Sequence, residues 1–179
     1  MPRYLALFGS INVGGNRLTM ADLRYAFERE EFENVETVIA SGNVLFDYDD
    51  RPTDGLEDLF AHMMLERFDI KSYVAVRSAA EVRSAVEDNP FVGDSEDKFV
   101  HTHFLERQPE QAAFDKMVAD HAERGPEKIA LGDRCLYIDY FTGVAESKLT
   151  AAFIERRLGS RGTARNVRSL ARILAKMGA

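Results

Sequence analysis

The chain has 179 residues, 45% of them hydrophobic, 30% charged and 10% aromatic, with a formal net charge of -7. These proportions describe a soluble globular chain able to bury the core of one large domain or two small ones, and they exclude a disordered polyelectrolyte. No apolar run approaches the ~20 residues of a membrane-spanning helix, "MPRYLALF" lacks a leader pattern, and the single Cys135 excludes an internal disulfide and a thiolate zinc site; a reducing cytoplasm is the expected location.

Residues 3–8, "RYLALF", form an apolar run of strand length. It leads into "FGSINVGGN" (8–16), rich in Gly and Asn, and then into "TMADLRYAFERE" (19–30). There Met20, Leu23, Ala26 and Phe27 recur at helical spacing behind Thr19 as N-cap. "NVETVIA" and "NVLFDYD" read as strands joined by the turn "SGN" (41–43). A helix over 52–68 buries Leu56, Leu59, Phe60, Met63 and Met64, and "KSYVAVRS" is a fourth strand. The order β-α-β-β-α-β over 3–78 is that of a ferredoxin-like sheet.

The second half nearly repeats the first. A connecting helix spans 79–89, and "KFVHTHFLE" (98–106) is a strand. A helix over 109–123 carries Pro109 in its first turn. Two strands flank "GD" within 127–141, a helix covers 146–158 and a last helix 166–177. The expected fold is α+β: a ferredoxin-like subdomain over 1–78, packed with a second subdomain over 79–179. The second is a related β-α-β-β-α unit with a basic C-terminal helix.

Topology places the glycine loop and the SGN turn together. If the first strand runs up and the first helix down, the turn at Ser41, Gly42 and Asn43 lies at the same sheet end as Asn12, Gly14 and Gly15. Glycines there leave backbone N–H groups uncovered beside a helix start, which suits an anion. Equally, Gly14, Gly15 and Gly42 can serve only to allow positive φ in tight turns. Neither a G-x-G-x-x-G pattern nor a P-loop lysine is present, and no cofactor is called for.

Other chemistries have structural readings. His101 and His103 lie two apart on a strand and face one way, a spacing that suits two metal ligands, but no third is in view; a hydrated sheet face explains them, and no metal is expected. The carboxylates of "DYDDRPTD" (47–54) lack EF-hand spacing and read as a strand end with helix caps. Ser147 and Lys148 are adjacent on a helix and point about 100° apart. Ser147 therefore reads as an N-cap, while Lys148 can reach an anion.

Charge is split along the chain. Residues 156–179 carry seven cations and no Asp or Glu, leaving -14 for residues 1–155. Arg165, Arg168, Arg172 and Lys176 read as one stripe of the last helix, opposite Val167, Leu170, Ala171, Leu174 and Met177. An arginine stripe suits phosphates and admits nucleic acid as a partner. Against it stand the acidic remainder and the reading of a basic end packed on an acidic body.

"INVGGN" with "LTMADLR", then "SGNVLFD", "SKLT" and "TARN", resemble the uncharacterised bacterial family called domain of unknown function 1697, over about Tyr4 to Met177. The resemblance implies an α+β protein of two subdomains, the first ferredoxin-like, and supplies no reaction. Matching positions are Asn12, Gly14, Gly15, Ser41, Gly42, Asn43, Ser147, Lys148, Thr163, Arg165 and Asn166. Two depart: Gly9 and Val167 stand where the family pattern has Arg and Trp. The reading is a binding protein for a phosphate-bearing ligand, nucleotide or nucleic acid. Its ligand residues are Asn12, Gly14, Gly15, Ser41, Gly42, Asn43, Lys148, Arg165 and Asn166. The alternative is a small-molecule enzyme using the same edge.

Overall fold

The computed structural model describes residues 1–9, 18–39 and 42–178. By contact density the chain divides into two units, Met1–Arg83 with Ile173–Ala179, and Ser84–Arg172.

The first unit contains β1 (Arg3–Phe8), α1 (Met20–Arg29), β2 (Glu33–Thr37), β3 (Asn43–Asp47), α2 (Thr53–Phe68) and β4 (Val74–Ser78). All pairings are antiparallel and the strand order is β2-β3-β1-β4, the ferredoxin-like arrangement. Thr19 starts α1 with a capping box: its hydroxyl accepts from the Asp22 amide, and Asp22 accepts from the Thr19 amide. Tyr4, Ala6 and Phe8 of β1 point to the same core as Val44, Phe46, Val74 and Val76. Phe60 of α2 fills its centre, stacked on Phe27 at 4.7 Å and Phe32 at 4.9 Å, and edge-on to Phe46 at 5.2 Å. Leu5, Leu7 and Leu45, on the opposite face, are also fully buried. Burial on both faces explains why "YLALF" shows no polar alternation.

The second unit holds β5 (Val100–Leu105), α4 (Gln111–His121), β6 (Lys128–Leu131), β7 (Cys135–Asp139), α5 (Ala151–Leu158) and β8 (Gly162–Asn166). Its sheet order, β6-β7-β5-β8, repeats the first, again all antiparallel. Leu105, Leu136 and Ile138 pack with Phe114, Met117, Phe153 and Ile154. Two helices bridge the division: α3 (Ala79–Glu87) and the C-terminal α6 (Val167–Lys176). The α+β class and the two related β-α-β-β-α units with a C-terminal helix are as the sequence predicts, and β8 adds a strand not foreseen in it.

Several local expectations need correction. α5 starts at Ala151 and not at 146, five residues later than the sequence suggests, with Thr150 as N-cap accepting from the Phe153 amide. Ser147 caps nothing there: its hydroxyl accepts from the Leu149 amide and donates to Glu127. Pro109 precedes the N-cap Glu110 of α4 instead of opening the helix. α2 has Pro52 in the N-cap position with no side-chain cap; Asp47 instead binds Arg3 at 2.8 Å and Asn34 at 2.7 Å. Burial opposes the Asp47 charge, but the Asn34 amide and the Arg3 guanidinium hold its carboxyl below the ordinary range.

Arg165 belongs to β8, opposite Thr102 of β5, and so is no part of a helical stripe. The buried face of α6 is Val167, Leu170, Ile173 and Met177; Ala171 is exposed. No described helix is long and apolar enough to cross a membrane.

Candidate functional site

The exit of β1 is tied on two sides. The Phe8 amide donates to the Gly42 carbonyl at 2.8 Å, and the Ser72 hydroxyl, just before β4, donates to the Gly9 carbonyl at 2.7 Å. Thr37, the last residue of β2, lies opposite Val44, and Leu7 lies opposite Asn43. The β2–β3 turn and the exit of β1 therefore share one sheet end, as the topology requires. Asn12, Gly14, Gly15 and Ser41 lie outside the described residues.

The turn is built from strained and buried parts. Gly42 adopts φ +87°, which a side chain would resist. Ile39 adopts φ +49°, the only β-branched residue to do so among the described residues, and that conformation is costly for its branched Cβ. Asn43 restrains it. This residue is 3% exposed, and its Nδ2 donates to the Ile39 carbonyl at 3.0 Å, while its own carbonyl accepts from the Val38 amide at 2.9 Å. Asn43 thus shapes the turn from beneath and does not present its side chain to solvent.

The nearby start of α1 is already balanced by Asp22, whose carboxylate sits where the helix end is positive. Alongside it runs an open groove of about 300 Å3 lined by Met20, Ala21, Arg24, Tyr25, Glu28 and Thr37. Arg24 is fixed by donating to the Val35 carbonyl at 2.9 Å, whereas Tyr25 is 62% exposed. The sequence reading passed over this face. Its signal was an aromatic residue lying off the apolar stripe of Leu23, Ala26 and Phe27.

The remaining candidates lie in the second unit. Lys148 is exposed, and among the described residues its ammonium makes no hydrogen bond or ion pair. Arg165 donates to the Thr163 hydroxyl and the Ala164 carbonyl, both at 2.9 Å, and burial pulls its guanidinium down to about 10. Asn166 caps α6, its Oδ1 accepting from the Ser169 amide at 2.8 Å. In "TARN", then, two polar side chains serve the local backbone.

His101 and His103 do not form a hydrated face. His103 is 3% exposed, its ring filling the space that a side chain at Gly162 would need, and His101 meets Tyr140 edge-on at 4.9 Å. Burial, and then the neighbouring His101, lower the His103 imidazole from 6.5 to about 4. Among the described residues no three His, Cys, Asp or Glu side chains gather as for a metal. A separate buried cluster joins the end of α4 to β6: His121 Nε2 and the Ser147 hydroxyl both donate to Glu127 Oε1, at 3.1 and 3.0 Å. Ser147 thus shares the Glu127 carboxylate with His121 and has no direct hydrogen bond to the imidazole among the described residues.

The basic segment is partly neutralised by its own chain. Arg157 binds Asp120 at 2.9 Å, Arg161 binds Glu106 through two bonds of 3.0 Å, and Lys176 binds Glu36 at 3.2 Å. Arg168 and Arg172 are exposed.

Comparison with known proteins adds family and fold. The family described as "Protein of unknown function (DUF1697)" matches residues 1–137. The solved structure of a conserved bacterial protein from Streptococcus pneumoniae is similar over 100% of this chain and 99% of its own, with a TM-score of 0.71 and 24% sequence identity. No curated protein matches.

Proposed function

The chain belongs to the DUF1697 family of proteins of unknown function, and for this member we propose the binding of a phosphate-bearing small molecule at the first unit's glycine-rich sheet end. The site comprises Asn12, Gly14 and Gly15, with Ser41 and Gly42 of the facing turn and Asn43 beneath it. The observation that carries the reading is the strained turn beside the exit of β1. Ile39 is held at φ +49° by buried Asn43, and Gly42 accepts from Phe8. Backbone strain maintained by a dedicated buried side chain accompanies sites that must be preorganised. Backbone N–H groups of a glycine-rich loop then offer an anion donors without a dedicated cation.

The ligand is small rather than polymeric. Arg157, Arg161 and Lys176 are engaged by carboxylates of the chain, and -14 on residues 1–155 repels a long polyanion. The single thiol, Cys135, is buried and suits work in a reducing cytoplasm. A thermal-shift screen of nucleotides, sugar phosphates, inorganic phosphate and short oligonucleotides tests the reading. A ligand at a hundredfold excess over Kd is expected to raise Tm by roughly 5–10 °C. Asn12→Ala and Ser41→Ala are expected to reduce that shift. No shift with any compound, or an equal shift in both variants, contradicts the reading.

A further inference from the structure

We infer that the groove beside α1 receives the base of a nucleoside phosphate carrying an exocyclic amine, so that the ligand at the glycine-rich sheet end is a nucleotide. The inference rests on the phosphate-binding reading and gives that ligand its other half. The groove residues Met20, Ala21, Arg24, Tyr25 and Glu28 fall at positions i, i+1, i+4, i+5 and i+8 of α1. They form one continuous face, opposite the buried Leu23, Ala26 and Phe27. The groove begins at the first turn of α1, beside Thr37 at the end of β2, and runs about 12 Å along the helix to Glu28. A ligand anchored by phosphate at the sheet end has this channel for the rest of its length.

The lining selects the chemistry. Tyr25 is 62% exposed, on a face it shares with Met20, Ala21, Arg24 and Glu28, and presents a ring on which a planar heterocycle can stack. Arg24, held to the Val35 carbonyl, sets a guanidinium plane along the same face. Glu28, at the far end, repels a second anion and offers only acceptors, so it suits an amino group. A volume of about 300 Å3 is at the lower end for small-ligand sites, in keeping with one nucleotide.

Calorimetric titration of the full chain with AMP, IMP, ribose 5-phosphate and adenosine tests the inference. AMP is expected to bind at least tenfold tighter than ribose 5-phosphate, and tighter than IMP, which lacks the amine. Tyr25→Ala is expected to remove the advantage over ribose 5-phosphate without changing the affinity for ribose 5-phosphate, while Tyr25→Phe keeps it. Tyr25 is exposed, so neither variant threatens the fold. Equal affinity for AMP and ribose 5-phosphate, or unchanged AMP binding in Tyr25→Ala, overturns the base site and leaves the phosphate site standing. Adenosine binding as tightly as AMP supports the base site and removes the phosphate site. Binding of none of the four overturns both.

Discussion

Single residues set where this protein tolerates charge. Glu57 of α2 is 5% exposed, yet one carboxylate oxygen accepts from the Tyr73 hydroxyl at 2.7 Å, the Val76 amide at 3.0 Å and Arg77 at 2.8 Å. β4 is an edge strand, so Glu57 occupies a backbone donor that a foreign strand would otherwise seek. Glu57→Ala removes the acceptor shared by Tyr73, Val76 and Arg77 and is expected to cost about 1–3 kcal/mol in urea unfolding. A loss below about 1 kcal/mol would show the network to be incidental. His103 gives a pH dependence. Its imidazole titrates near 4 in the folded chain and near 6.5 when unfolded. Above 6.5 it is neutral in both states and contributes no pH dependence. As pH falls from 6.5 to 4 the unfolded chain takes up the proton and the folded one does not, costing about 3 kcal/mol by the end of that window. The His103→Gln variant is expected to lose less stability than the wild type between pH 7 and pH 4.5 in urea titrations; an equal loss in both would contradict the assignment.

At the scale of elements, hydrophobic periodicity made most of the fold legible. "RYLALF" and the Leu23, Ala26, Phe27 stripe declare themselves because each faces a core. β8 was not legible. "GTARN" has one buried residue, Thr163, and exists as a strand because β5 offers it an edge to pair with. Missing it moved Arg165 onto a helix and lengthened a cationic stripe that in the fold is Arg168, Arg172 and Lys176 of α6. The start of α5 was misplaced for a related reason: Ser147 and Thr150 are both good caps, and the buried Glu127 recruits the first. Asn166 ends β8 and caps α6 at once. Replacing it by Ala is expected to lower stability by about 1 kcal/mol, read as a fall in the urea midpoint at unchanged m-value. An unchanged midpoint would mean that α6 does not depend on this cap.

Across the whole molecule, one strand order is used twice, yet the two units differ in what their sheet ends carry. In the first unit, the end of β1 meets a strained turn, and a groove with an exposed tyrosine runs along α1 beside the end of β2. In the second, polar residues that attract notice in the sequence (Ser147, Arg165, Asn166) bind the chain's own backbone or carboxylates. The sheet end of the first unit was legible because strand order alone brings the turn beside β1. The groove was not, since Tyr25 signals only by falling outside an apolar stripe whose partners are distant in sequence. The most direct test of phosphate binding at that end is an amide-resolved NMR titration of the full chain with AMP. The expected result is saturable shifts at Gly9, Gly42 and Thr19, with residues 84–172 largely unmoved. Saturable shifts confined to residues 84–172, or none at millimolar AMP, would contradict it.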